Sequence, residues 1–183
     1  LSERKRQEIE EQLAEFFRQD QQANQLLYYQ PVNEEATKFH LSTARECGIQ
    51  GGNKSGKTGE IAVEMAIQMT GVVPFCLEKT YPAVKLRAPI RARLVVTSLV
   101  SAWDTNLKFK FQYFHWNGKP NEDGLLGDPR YGHWGWIPQR FLLNGDWDQS
   151  WSERHRTLTL ANGSTLQVMS WEQSVTDFKQ GAF

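Results

Sequence analysis

Eight consecutive residues, Gly51-Gly52-Asn53-Lys54-Ser55-Gly56-Lys57-Thr58, place glycines, a lysine and a hydroxyl in the pattern G-x-x-x-x-G-K-[ST]. The glycines allow the backbone to curl so that successive amides point inward at phosphate oxygens. A helix opening at the end of the run adds its partial positive charge. In that arrangement the Lys57 ammonium neutralises the β- and γ-phosphates and the Thr58 hydroxyl ligates Mg²⁺. With glycine near ~7% of residues, four specified positions coincide by accident in roughly one chain of this length in a hundred or fewer. The chemistry expected of residues 51–58 is binding of a nucleoside triphosphate with Mg²⁺.

Such a loop needs a strand before it and a helix after it. Residues 44–50 are expected to form the strand. Residues 57–70 form the helix, with Ile61, Met65 and Met69 along one face and Gly71 and Pro74 stopping it. Upstream, residues 2–28 read as one or two amphipathic helices with a partial stripe of Ile9, Leu13, Phe16, Phe17, Leu26 and Leu27, suited to packing or subunit contact. Pro31 breaks that pattern, and a short helix is expected through about residue 41. Downstream, residues 79–93 are basic and proline-interrupted and feed the aliphatic run Arg93-Leu94-Val95-Val96-Thr97, expected as a buried central strand. A helix over residues 98–114 follows. Turn signals crowd residues 117–150, and residues 157–169 alternate about Asn162-Gly163 as a hairpin expected at one edge of the sheet or across it.

These elements make an α/β fold of the P-loop NTPase kind, a mostly parallel sheet flanked by helices, with an N-terminal helical arm and a β-hairpin. The expected division is residues 1–43 as arm and adenine-side segment and residues 44–183 as the ATPase core. The 183 residues carry 21 basic and 21 acidic side chains, a net charge of zero, so a DNA contact must come from a local patch or from several subunits together. No apolar run approaches the ~20 residues that span a bilayer, and the first residues are charged, so a cytosolic setting without membrane contact is expected. Cys47 and Cys76 lack metal or redox spacing and read as buried thiols. His115, His133 and His155 are scattered and read as surface or structural residues, and Asp146 and Asp148 lie beside an ordinary turn. Trp116, Trp134, Trp136, Trp147 and Trp151 suit a small core of their own within the loop-rich stretch, or stacking platforms for bases. The basic run suits DNA phosphates, a neighbouring subunit's nucleotide, or a solvated loop.

The 51–58 run resembles the glycine-glycine-asparagine-arginine-serine-glycine-lysine-threonine loop of large terminase subunits, the DNA-packaging ATPases of tailed bacteriophages. Gln30-Pro31 with Phe39-His40-Leu41-Ser42 resembles the family's adenine-side region, and Thr70-Gly71-Val72-Val73-Pro74 its exit from the loop helix. Asn162-Gly163-Ser164, Ser170-Trp171-Glu172-Gln173 and Phe178-Lys179-Gln180-Gly181 resemble elements that precede its second carboxylate motif. Residues 117–150 have no counterpart.

The resemblance implies an ATP- and Mg²⁺-dependent motor driving double-stranded DNA into a capsid. Its partners would be the portal protein, a small terminase subunit and further copies in a ring, in the host cell cytoplasm and transiently at the procapsid portal. It implies that Gly51 to Thr58 bind nucleotide, that Thr58 binds metal, and that Gln30, Phe39 and His40 border the base. Lys54 stands where the family often has an arginine and is implied as a γ-phosphate contact beside Lys57, without the planar fork of a guanidinium. The family's aspartate, catalytic glutamate and nuclease domain are expected beyond Phe183, so residues 1–183 are expected to bind ATP more readily than to turn it over. Two alternatives stay open: another P-loop nucleic-acid ATPase such as a helicase, and an assembly switch that binds ATP without hydrolysing it.

Overall fold

The computed structural model describes residues 3–52, 55–112, 115–116, 132–133 and 135–171. The chain opens with α1, Glu3–Ala23, a helix with no buried residue. Ile9, Leu13, Phe16 and Phe17 are exposed on it, and only beyond it, in the 3-10 turn Gln25–Tyr28, does Leu26 enter the core. The junction is held by polar contacts: Tyr28 Oη donates to Asp20, and Arg140 donates to Asn24. Helix α2, Glu34–Leu41, starts where the Asn33 side chain accepts from the amide of Ala36.

Helix α3, Lys57–Thr70, is the packing centre, with Ala62, Val63, Ala66, Ile67 and Met69 buried. Its core face is not the one expected from Ile61, Met65 and Met69: Ile61 is exposed and Met65 half-buried, because the small residues Ala62 and Ala66 admit neighbouring elements closely on the other side. At its end Gly71 takes the left-handed conformation (φ 76°) and donates to Ile67 O at 2.7 Å. The Met69 carbonyl accepts from Ser164 Oγ at 2.7 Å and Asn162 Nδ2 at 2.8 Å, which ties α3 to the hairpin turn.

The principal sheet contains β1 (Arg91–Val96), β4 (Trp151–Ser152), β5 (Thr157–Thr159) and β6 (Thr165–Ser170), in the order β1-β6-β5-β4. A separate two-residue pair, β2 (His115–Trp116) and β3 (Gly132–His133), is antiparallel. The mostly parallel P-loop NTPase sheet expected from the sequence is corrected here. The principal sheet is small and mixed, and only β1 and β6 run parallel, while β5 pairs antiparallel with both β6 and β4. The turn at Gly163 (φ 91°) forces its two strands antiparallel, and the expected strand over residues 44–50 does not form. That segment, Ala44-Arg45-Glu46-Cys47-Gly48-Ile49-Gln50, has one large aliphatic residue and cannot supply a buried strand.

The hairpin is also placed differently. Strand β6 lies inside the sheet, with Leu166, Val168, Met169 and Ser170 buried, whereas β1, expected at the centre, flanks it and buries only Val96. The expected helix over 98–114 begins as a π-helix, Leu99–Leu107, whose first turn is capped by Ser98 accepting from the amide of Ser101, and continues as α4, Lys108–Phe111.

Tryptophans join the main core instead of forming one of their own. Trp103 and Trp151 have ring centroids 5.0 Å apart, Trp151 and Trp147 stack at 6.2 Å, and all three share a cluster with Leu158 and Leu166. Trp147 sits in the one-turn helix α5, Trp147–Ser150, capped by Asp146, so the Asp146 and Asp148 pair serves a helix start. The Trp116, Trp134, His115 and His133 side chains lie outside the described residues, and His155 is exposed. Both thiols, expected to be buried, are exposed. No helix among the described residues is long and apolar enough to cross a membrane.

Because Leu166 is fully buried in the central strand opposite Leu158, Leu166→Ala is expected to cost about 2–5 kcal/mol of stability. Urea denaturation measures it; a loss below about 1 kcal/mol would show that β6 is not the sheet's centre.

Candidate functional site

The 51–58 loop meets α3 at Gly56, whose φ of 84° lies in the left-handed region. A β-carbon there would approach Val32 Cγ2 to 3.2 Å, so backbone conformation and space both require glycine. At Gly51 a β-carbon would fall 2.8 Å from Ser55 Oγ. No side chain caps α3, and the amides of its first turn have no intrahelical partner. The Lys57 ammonium folds back along the loop to Gly51 O (2.7 Å), Gly52 O (2.7 Å) and Ser55 Oγ (3.0 Å), fastening the start of the loop to the first residue of the helix.

A cleft of about 1000 Å³ opens over this turn. Ser55, Gly56, Lys57 and Thr58 form its floor; Gln30 with Tyr28 and Tyr29 forms one wall, and Asn106, Lys110 and Trp136 form another. A second hollow of about 530 Å³ contains Gly51 and Phe39, and Ser55, Lys57 and Glu60 border both. The structure thus brings Gln30 together with the loop on one side and Phe39 with it on the other. Gly52 is exposed and reaches the site through its carbonyl. Asn53 and Lys54 lie outside the described residues, as do Glu172, Gln173 and the 178–181 segment.

His40 departs from expectation. It is fully buried and lines neither hollow, so it does not border a base. Its Nε2 lies 2.9 Å from Glu60 Oε2 and its Nδ1 lies 2.7 Å from Glu64 Oε2. Tyr29 Oη donates to Glu60 and stands 2.9 Å from His40 Nε2. Glu64 Oε1 accepts from Tyr81 Oη at 2.8 Å and Gln68 Nε2 at 2.7 Å and pairs with Lys85 Nζ at 2.5 Å. Lys85 also donates to His40 O at 2.8 Å. Both imidazole nitrogens face carboxylate oxygens, so the fully bonded arrangement is the imidazolium, which has a donor on each nitrogen. His40 and Lys85 then balance Glu60 and Glu64, which is how a nearly dry interior accommodates four ionic groups.

This cluster governs the ionisation of its members. Burial pushes the Glu64 carboxyl up, but hydrogen bonds from His40, Lys85 and Gln68 outweigh it and hold the group below its usual range. Burial, with the Glu60 hydrogen bond, drives the Tyr29 phenol well above its ordinary value, and burial with Glu64 does the same for Tyr81. Burial also raises the Cys76 thiol, whose Sγ lies 3.2 Å from Tyr29 O, so nothing here activates it. Glu60 and Glu64 escaped the sequence reading, although two acids four apart on the otherwise apolar 57–70 helix fall on one face and were a visible signal. Among the described residues no group of three histidine, cysteine or acidic side chains could hold a metal ion.

No family model, curated protein or solved structure matches the chain.

A carboxyl held below its ordinary value of 4.5 contributes stability that is complete above that value and is lost as pH falls through the depressed folded value. Melting temperature should therefore fall on acidification below about pH 4.5. Glu64→Gln should lose about 3–5 kcal/mol at pH 7 and show a shallower acid limb. Thermal melts from pH 3 to 7 compare the two; parallel curves would remove Glu64 from the account.

Proposed function

We propose that the chain binds a nucleoside triphosphate with Mg²⁺ in the cleft above the 51–58 loop. The supporting observation is the uncapped start of α3, with Gly56 left-handed and Lys57 and Thr58 lining a cleft large enough for a nucleotide. Phosphate oxygens replace the Gly51 and Gly52 carbonyls as partners of Lys57. The Thr58 side chain, exposed and without a protein partner among the described residues, fits Mg²⁺ as one oxygen ligand, with phosphate and water completing the shell. A bound Mg²⁺ would neutralise charge on the phosphates. Gln30, Tyr28 and Trp136 offer the base a polar edge and aromatic faces, and Phe39 offers another face from the second hollow.

From the terminase resemblance of the loop and its flanking segments, we further propose ATP hydrolysis coupled to movement of double-stranded DNA into a capsid. Portal protein, small terminase subunit and further copies of the chain are the proposed partners, and the host cytoplasm the proposed setting. Lys54 is proposed as a γ-phosphate contact on the same basis. One observation favours a second reading, an ATP-dependent assembly switch. Residues 44–50 form no strand, so the loop is rooted in α3 and in its own Lys57 contacts instead of in the sheet. Its order can then respond to the nucleotide.

Lys57→Ala is expected to weaken ATP–Mg binding at least about a hundredfold, the scale of losing one strong charge-assisted contact. Calorimetric titration measures this, and an unchanged affinity would remove the loop as the site. In the complete natural polypeptide, ATP turnover stimulated by double-stranded DNA supports the motor. Tight binding without turnover supports the switch.

A further inference from the structure

The π-helix Leu99–Leu107 is the least common backbone form in the described chain, since turns closed by i→i+5 bonds are rare and concentrate at functional positions. Here the Lys108 amide donates to Trp103 O, five residues back. The wider turn keeps both Trp103 and Phe111 fully buried, with ring centroids 5.8 Å apart, while Asn106 and Lys110 face the cleft. The end of α4 is pinned from outside. Lys110 O accepts from the Trp136 amide at 2.7 Å, and Gln112 N donates to Lys108 O at 3.0 Å.

The two lysines of α4 have different surroundings. Lys108 Nζ lies over the Trp151 ring, 5.9 Å from its centroid. Lys110 is exposed, lines the cleft, and has no hydrogen bond or ion pair among the described residues. The ionisable side chains around the cleft are Arg18, Lys57, Lys110 and Glu60. Glu60 is engaged by Tyr29 and His40, and Arg18 by Glu15 at 2.6 and 2.8 Å. Cations outnumber carboxylates there, which suits a polyphosphate tail.

We infer that Lys110, beside Asn106, is a second phosphate-binding cation, which reaches the triphosphate from a wall separate from the loop and makes the site prefer a triphosphate to a diphosphate. The inference rests on the nucleotide reading of the cleft. The loop amides and Lys57 serve phosphates that both nucleotides carry, so an added cation outside the loop acts on the charge that only the triphosphate has. A point-charge ammonium is adequate for that contact.

The test is calorimetric titration of the whole chain with a non-hydrolysable ATP analogue and with ADP, each with Mg²⁺, on the wild type, Lys110→Met, Lys110→Arg and Lys108→Met. Lys110→Met should weaken the triphosphate about tenfold and the diphosphate about threefold or less, with the melting temperature unchanged because the side chain is exposed. Lys110→Arg should restore most of the preference, and Lys108→Met should keep it. Equal losses for both nucleotides, or no loss in Lys110→Met while the wild type binds, would overturn the Lys110 assignment alone. A wild type that binds neither nucleotide would overturn the nucleotide reading itself, and the assignment with it.

Discussion

Helix α3 carries two glutamates into the interior, and much of the structure is arranged to keep them charged there. Glu60 and Glu64 lie one turn apart on its core face, 4% and 7% exposed, where an unpartnered carboxylate is costly by several kcal/mol. His40 from α2 bridges them, Tyr29 arrives from the end of the first 3-10 turn, and Tyr81 and Lys85 come from the chain that leads to β1. Three otherwise separate parts of the chain are thereby tied to one helix. A buried network of this kind specifies an arrangement more than it stabilises one, because each partner admits only the geometry that satisfies the others.

The opposite end of α3 is held by another polar device. Ser164 and Asn162 in the hairpin turn donate to the Met69 carbonyl, and Ser164 Oγ also accepts from the Ile90 amide at 3.0 Å. One serine therefore registers the helix end, the turn and the chain entering β1. Between these two attachments α3 is a rigid strut, and the residues at its start, Gly56, Lys57 and Thr58, inherit that rigidity. The loop before them does not. Its contacts are the Lys57 ammonium and its own glycine-permitted curl, without a strand beneath. A firm helix start beside a loop of few attachments lets phosphate amides be preorganised while the loop responds to what binds.

The walls of the cleft come from places far apart in sequence, Tyr28 to Gln30 from the arm and Asn106, Lys110 and Trp136 from the far side of the sheet. Trp136 is positioned by a backbone bond to Lys110, and Tyr29 meets its ring edge-on at 5.4 Å, so the two walls touch. Aromatic faces and cations thus share one concavity, the combination a nucleotide requires.

Local patterns were legible in the residues alone. The spacing of Gly51, Gly56, Lys57 and Thr58 identified the loop, Gly71 and Pro74 marked the end of α3, and Asn162-Gly163 marked a tight turn between two alternating runs. Each rests on a conformational preference within a few residues, which the chain carries wherever it is placed. Tertiary structure decided what depends on partners distant in sequence. It put β6 in the middle of the sheet and β1 at its flank, left residues 44–50 without a strand, and turned His40 from an expected base contact into a buried bridge. It also made Lys110, which no motif marks, part of the cleft. Strand order and burial follow from which surfaces meet, and the periodicity of a single segment does not contain that information.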